Sequence, residues 1–335
     1  MDLAVGIIGA GGWGTALAKV LSGKGIDVSL WCRREEIRKE IQDRGENRSY
    51  LPGIVLPRSL QITCSLDEAA SRKGIIICAV PSHGVRTVME GAAPYVSPQA
   101  IVVCCAKGIE EGSLKTMGEV LGEIFGPLKK ERLTFLSGPT FALEVAKGLP
   151  SAVTVAAFAE EAAKVVQETL STQSLRVYTS RDVVGVQMGG VVKNVIAIAA
   201  GISDGLGLGS NARAALITRG LAEMTRLAGK MGADPMTLSG LPGLGDLVLT
   251  CTGDLSRNRS VGIQIAQGKR PEEVPHETRM VAEGVRNTRS LYLLARRLKV
   301  ELPIVDQMYL VLYEGKKPTE AVRDLMQRSL KAEMG

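Results

Sequence analysis

The sequence predicts an α/β fold in which an N-terminal doubly wound sheet is followed by a C-terminal all-helical domain. Three observations carry that prediction. Short apolar runs such as Gly74-Ile75-Ile76-Ile77-Cys78-Ala79-Val80-Pro81 alternate with helical patterns through the first part of the chain, the signature of a parallel sheet covered on both faces. The first of these runs opens directly into a glycine-rich turn and an amphipathic helix. Near residue 185 the alternation stops, and nearly everything beyond reads as helix. The boundary is expected around 182–190, giving residues 1–187 to the sheet domain and 188–335 to the helical one.

The opening element is Ala4-Val5-Gly6-Ile7-Ile8-Gly9-Ala10-Gly11-Gly12-Trp13-Gly14. A strand that reaches Gly-x-Gly-x-x-Gly and turns at once into a helix is the context in which that fingerprint binds a dinucleotide. Gly9 allows the tight turn, Gly11 admits the pyrophosphate, and Gly14 lets helix and strand lie close. The diphosphate then faces N–H groups at the positive end of the helix. The N-terminal domain is therefore expected to be Rossmann-like.

The second strand, Asp27-Val28-Ser29-Leu30-Trp31-Cys32, ends where an NAD enzyme places an acid against the ribose 2′-hydroxyl. Here Arg33-Arg34 follows. Guanidinium groups hold a 2′-phosphate that a carboxylate would repel, so NADP(H) is expected to be preferred, with NAD(H) possible. Arg34 alternatively solvates the start of the next helix.

Composition narrows the partners. The chain has 335 residues, 45% of them hydrophobic, enough for two cores. A net charge of +6 permits nucleic acid, but 41 Lys and Arg are scattered among 35 acids and only 4% of residues are aromatic. No basic arm or stacking platform is evident, so small anions are the expected ligands and nucleic acid is not. No uninterrupted apolar run long enough to span a bilayer is seen, and the chain starts on its first strand. A cytoplasmic protein without membrane insertion is expected. The six cysteines show no metal-ligand spacing and read as reduced core residues, with no metal expected.

Further along, a proline-bounded loop covers 47–57, a short strand is expected at 62–64, and Ser65-Leu66-Asp67-Glu68 has the form of a capping box. A helix is expected from Ser82 and another over 114–125. Strands are expected at 100–106, 133–136, 151–155 and 175–178. Ala106-Lys107-Gly108 and Ser137-Gly138-Pro139-Thr140 follow strand ends, where a doubly wound sheet opens its crevice.

In the second domain, Gly189 to Gly201 is apolar around nearly its whole circumference and is expected to be a buried helix. Lys193 and Asn194 are its strongly polar groups. Burial disfavours an ammonium and brings its pKa toward neutrality, the range in which a lysine transfers protons. A lysine snorkelling from a helix end is the alternative. A glycine-rich turn at 205–211 precedes a long helix over 212–231, and a second bend at 240–247 presents Asp246. Ser256-Arg257-Asn258 offers a hydroxyl, a guanidinium fork and an amide to a phosphate, or simply caps a helix.

Taken together, these stretches resemble the bacterial NAD(P)-dependent sn-glycerol-3-phosphate dehydrogenases over essentially the full chain. The matching blocks are Gly9 to Ala18, Asn47 to Gly53, Ala106-Lys107-Gly108, Ser137-Gly138-Pro139-Thr140-Phe141-Ala142, Val192-Lys193-Asn194, Leu241 to Leu247 and Ser256-Arg257-Asn258. The resemblance implies that Lys193 is the catalytic proton donor and acceptor. It implies substrate positions at Lys107, Gly138, Thr140, Asp246, Ser256, Arg257 and Asn258. It implies cofactor positions at Gly12, Trp13, Arg33, Arg34, Lys107, Ala142, Arg257, Val281 and Glu283. Relatives often carry Ser at position 12, so here only the backbone N–H is available. The resemblance further implies a cytoplasmic homodimer that reduces dihydroxyacetone phosphate for phospholipid synthesis.

Two other readings compete. A β-hydroxyacid or ketopantoate-type dehydrogenase shares the plan and a lysine near an asparagine, but needs no phosphate clamp such as Ser256-Arg257-Asn258. A non-catalytic NADP(H) sensor would have no use for Lys193, Asn194 and Asp246.

Overall fold

The computed structural model describes residues 4–270, 273, 283–330 and 332–333. Eight strands among them form one sheet: β1 (Ala4–Ile8), β2 (Asp27–Trp31), β3 (Gln61–Thr63), β4 (Ile75–Cys78), β5 (Ile101–Cys104), β6 (Leu133–Ser137), β7 (Ser151–Ala157) and β8 (Leu175–Ser180). Their spatial order is β3-β2-β1-β4-β5-β6-β7-β8. Strands β1 to β6 run parallel, β7 is antiparallel to β6, and β8 is parallel to β7. The strand order reverses between β1 and β4, which places a ligand crevice at their C-terminal ends.

The helices of this lobe are α1 (Gly12–Gly23), α2 (Glu35–Arg44), α3 (Leu66–Ala70), α4 (Val85–Ala92), α5 (Met117–Phe125), α6 (Ala142–Ala146) and α7 (Glu160–Leu170). They cover both faces, which is why the central strands are apolar throughout. Ile7, Ile75, Ile77 and Val103 point into one core, while Ile8, Ile76, Cys78 and Val102 point into the other. The antiparallel edge follows from a short connection. Between β6 and β7 the chain makes only the five-residue α6 and returns on the side it left, so no crossover reverses it.

Some local expectations need correction. Ser65 caps α3 by accepting the Glu68 N–H, but the Glu68 carboxylate takes the Thr63 hydroxyl, so the reciprocal half of the box is missing. A complete capping box sits instead at Thr116 and Glu119, and α5 starts at Met117 because Leu114 lies in a left-handed turn. After β4, Ser82–Gly84 is a 3₁₀ turn that leads into α4.

The second lobe holds α8 (Val183–Gly205), α9 (Gly209–Lys230), α10 (Pro235–Ser239), α11 (Asp246–Thr252), α12 (Arg257–Ala266), α13 (Glu283–Leu298), α14 (Pro303–Tyr313) and α15 (Pro318–Met326). Helix α8 is its axis, buried from Met188 to Ser203. It is long and apolar enough to cross a membrane, yet 89% of its most apolar window is enclosed by protein. Its first turns belong to the sheet lobe: α8 packs against β6 and β7, with Val183 and Val186 in the sheet core, whereas Met188 onward joins the helical core. Against α12 the two backbones touch, since a Cβ on Gly201 would lie 2.0 Å from the Arg259 carbonyl oxygen. The bend over Leu241–Gly245 is one π-helical turn that runs directly into α11.

Candidate active site

Where β1 meets α1, Gly9 has φ +121°, and a Cβ there would strike the Ala79 backbone at 2.8 Å. A Cβ on Gly14 would sit 1.9 Å from the Gly9 carbonyl oxygen, whereas Gly11 faces open space. The turn therefore has room for a diphosphate, and the first turn of α1 has a glycine N-cap without a side-chain acceptor. Asn47, wholly buried, fixes the turn by donating to the Ala10 carbonyl (2.9 Å) and to Thr15 Oγ1 (2.8 Å).

From this turn a cleft of about 400 Å³ runs between the strand ends and the helical lobe. Gly12, Trp13 and Ala142 line it, as do Ser256, Arg257, Asn258 and Glu283. Lys107, Lys193 and Asp246 share the same lining. A second cavity of about 420 Å³ lies among α8, α9, α14 and α15. The buried Glu223 carboxylate there already accepts the Ile304 and Val305 N–H groups at the start of α14, so that cavity offers no comparable proton-transfer pair.

The centre of the cleft is a carboxylate between two ammonium groups. Asp246 is 1% exposed. Its Oδ1 accepts from Lys193 Nζ at 2.5 Å and its Oδ2 from Lys107 Nζ at 2.6 Å. Lys193 also donates to Thr250 Oγ1 at 2.9 Å, and the Thr250 hydroxyl in turn donates to the Asp246 carbonyl at 2.6 Å. Burial lowers the Lys193 pKa to about 8; the Asp246 charge opposes that shift and the Lys107 charge adds to it. An ammonium so placed exchanges its proton near neutrality, which suits general acid–base work.

Around this centre the polar side chains are tied down. Asn258 donates to Asn194 Oδ1 (2.9 Å) and accepts the Gly284 N–H (3.0 Å), joining α12, α8 and α13. Ser256 caps α12 by accepting the Arg259 N–H at 3.2 Å. Arg257 opens the same helix, and burial pulls its guanidinium below the ordinary value while Glu283 opposes. Gly138 is buried, and its carbonyl accepts from Thr140 Oγ1 (3.3 Å) and Lys107 Nζ (3.4 Å). Glu283 accepts the Ser82 N–H at 2.9 Å. The cleft wall also holds an orphan, since Ser137 Oγ is buried with no partner among the described residues.

Arg33 and Arg34 do not line the cleft. Arg33 is exposed beyond β2, and Arg34 bonds the Tyr50 hydroxyl with its guanidinium 5.8 Å from the Tyr50 ring centre. Tyr50 itself reaches the cleft wall. Val281 lies outside the described residues. Sequence reasoning missed Tyr50, Thr250 and the stapling role of Asn47. Thr250 was findable, because it stands one helical turn after Asp246 and so shares its face. No group of three His, Cys, Asp or Glu suited to a metal occurs among the described residues.

Residues 4–163 match the family model described as NAD-dependent glycerol-3-phosphate dehydrogenase N-terminus, and residues 182–323 match the corresponding C-terminus. A glycerol-3-phosphate dehydrogenase [NAD(P)+] of Citrifermentans bemidjiense is 56% identical over 329 residues, covering 98% of each chain. The crystal structure of glycerol-3-phosphate dehydrogenase from Coxiella burnetii superposes with a TM-score of 0.93 at 40% identity, covering 98% of this chain and 99% of that one. The yeast enzyme of Saccharomyces cerevisiae follows with a TM-score of 0.82 at 27% identity, covering 98% of this chain and 100% of that one. With both halves matched in order and a Gly-turn crevice leading to the buried lysine–aspartate cluster, the chain belongs to the NAD-dependent glycerol-3-phosphate dehydrogenase family.

Proposed function

We propose a division of labour among the cleft residues for the reaction that family membership assigns, the NAD(P)-linked interconversion of dihydroxyacetone phosphate and glycerol 3-phosphate. The observation that carries it is Asp246 holding Lys193 and Lys107 together in the cleft that the glycine turn and Arg257 also line. A bound nicotinamide supplies and accepts the hydride. Lys193 donates a proton to the C2 oxygen as negative charge grows there, and as a neutral amine takes it back in the oxidative direction. Lys107 polarises the same oxygen. Arg257, with Ser256 and Asn258, holds the substrate phosphate, a role suited to a partly desolvated guanidinium fork at a helix start.

The glycine turn would hold the diphosphate, and Trp13, Ala142 and Glu283 would border the rest of the cofactor. Arg33 and Arg34 favour NADPH from the end of β2, with Tyr50 orienting Arg34. The physiological direction is reduction, feeding phospholipid synthesis, in a cytoplasmic homodimer. Light scattering on the purified protein tests the dimer, and a monomer at working concentration refutes it.

The deciding assay follows NADPH consumption with dihydroxyacetone phosphate, ketopantoate and dihydroxyacetone. Only the phosphorylated ketone is turned over efficiently. In Lys193→Met, NADPH binding and fold persist while kcat falls about 10²–10⁴-fold, the scale of general acid–base catalysis. Lys107→Met shows a larger share of its loss in KM. Near-normal turnover by a folded Lys193→Met that binds NADPH overturns the assignment and moves the proton to Lys107.

A further inference from the structure

Helix α13 touches both loops that follow the central strands. Glu283 in its first turn accepts the N–H of Ser82, after β4, at 2.9 Å. One turn on, and therefore on the same face, Asn287 donates from Nδ2 to the main-chain carbonyl of Lys107, after β5, at 3.0 Å. Asn287 is 1% exposed. Between the two contacts lies Gly108, where a Cβ would stand 2.2 Å from Ser82 Oγ and 3.1 Å from Asn287 Oδ1. The helix and the two loops are thus packed without slack.

We propose that Asn287 is the positioning residue for Lys107, anchoring the backbone from which the Lys107 ammonium reaches Asp246. The inference rests on reading Lys107 and Lys193 as the pair that serves the substrate oxygen. Its logic is geometric. Strand β5 ends at Cys104, and the Cys105 N–H still bonds Cys78 O at 2.9 Å. Beyond that rung the chain is a loop, and a lysine stem has four rotatable carbons with which to wander. The 2.6 Å contact to Asp246 needs its root fixed from outside the sheet, and the amide of Asn287 does this from the opposite lobe. The same bond makes the placement of Lys107 depend on the two lobes being correctly docked.

A purely structural asparagine and a positioning one part company in the pH profile. The groups facing Lys193 are Asp246 and Cys251 from α11 and Lys107 from the β5 loop, with Arg257 on α12 and Glu283 on α13 lining the same cleft. Lys107 holds the Lys193 pKa down. When Lys107 drifts away, that depression is relieved and Asp246 serves Lys193 alone, so the neutral amine forms at higher pH.

The experiment measures kcat/KM for glycerol 3-phosphate oxidation against pH in the full-length enzyme, with Asn287→Leu, Asn287→Ala, Lys107→Met and the Asn287→Leu/Lys107→Met double variant. Melting temperature and NADPH affinity are recorded alongside. Loss of one neutral hydrogen bond predicts about a 3- to 10-fold drop in kcat/KM for Asn287→Leu. The rising limb, set in the parent by the neutral amine of Lys193, moves to higher pH. Lys107→Met moves it the same way, and the double variant adds nothing further, since Asn287 acts only through Lys107. A limb that moves in Lys107→Met but stays put in both Asn287 variants overturns the positioning role alone. A limb and rate unchanged in Lys107→Met overturn the reading on which it rests. If Asn287→Leu does not fold, Asn287→Ala decides on the same criteria.

Discussion

Asp246→Asn is the most searching perturbation, because it removes the charge between two ammonium groups and keeps the shape. Two contacts of 2.5 and 2.6 Å are lost as ion pairs. Removing one partner of a buried pair while the other stays charged costs about 3–5 kcal/mol. Lys193 has a cheaper course. Its ammonium is already held by burial well below the ordinary lysine value, to about 8, so releasing the proton near neutral pH costs only on the order of 1 kcal/mol. The variant therefore folds, with Lys193 neutral. A unit charge about 4 Å away in an environment of effective dielectric near 20 is worth about 4 kcal/mol, a ceiling of roughly three pH units. Solvent entering the cleft and rearrangement of Lys107 reduce it. The midpoint of the glycerol 3-phosphate oxidation limb is expected to move acid-ward by at least about one pH unit. At about pH 7 the protonated fraction of Lys193 falls accordingly, and kcat/KM for dihydroxyacetone phosphate drops about 2-fold for a shift of one unit and about 100-fold for the full three. The assay is kcat/KM against pH from about 6 to about 9.5 in both directions, with circular dichroism to establish folding. A folded variant whose limb stays in place, or moves to higher pH, refutes the argument that Asp246 sets the proton affinity of Lys193.

Two other outcomes are expected. Arg257→Ala raises KM for dihydroxyacetone phosphate about 10- to 150-fold, the equivalent of a charge-assisted bond of about 1.5–3 kcal/mol, and Arg257→Lys recovers only part of it; an unchanged KM removes Arg257 from the phosphate site. Arg33→Asp lowers kcat/KM with NADPH relative to NADH, and Arg34→Ala adds to the effect by freeing Tyr50; a ratio untouched in the double variant places the 2′-phosphate elsewhere.

The strands and the glycine turn were legible because each rests on local chemistry. An unbroken apolar run such as Ile75-Ile76-Ile77 has one use, a strand covered on both faces, and Gly9 and Gly14 stand where backbone contacts leave no room for a side chain. Lys193 was legible for the same reason, being the one charge in a stretch, Gly189 to Gly201, that is apolar apart from Asn194 beside it. What escaped was long-range or depended on a single atom. The pairing of Lys107 with Lys193 on Asp246 joins residues from the β5 loop, α8 and α11, and no spacing announces it. The direction of β7 was hidden because strand composition is the same in either sense. The Ser65 box matched by pattern, but Thr63 competed for Glu68.

Helix α8 carries side chains of two cores on one continuous ladder, Val183 and Val186 in the first and Met188 onward in the second. Helical order cannot be lost at one end of such a rod without loosening the other, so the lobes share their free energy of unfolding. Heating or denaturant should then give a single transition seen alike by sheet and helix probes. A destabilising change deep in the α8–α12 contact, such as Gly201→Ala, should be felt as weaker cofactor affinity at the far lobe even though it touches no ligand. Catalytic alignment and global stability are in this sense one quantity measured at two places.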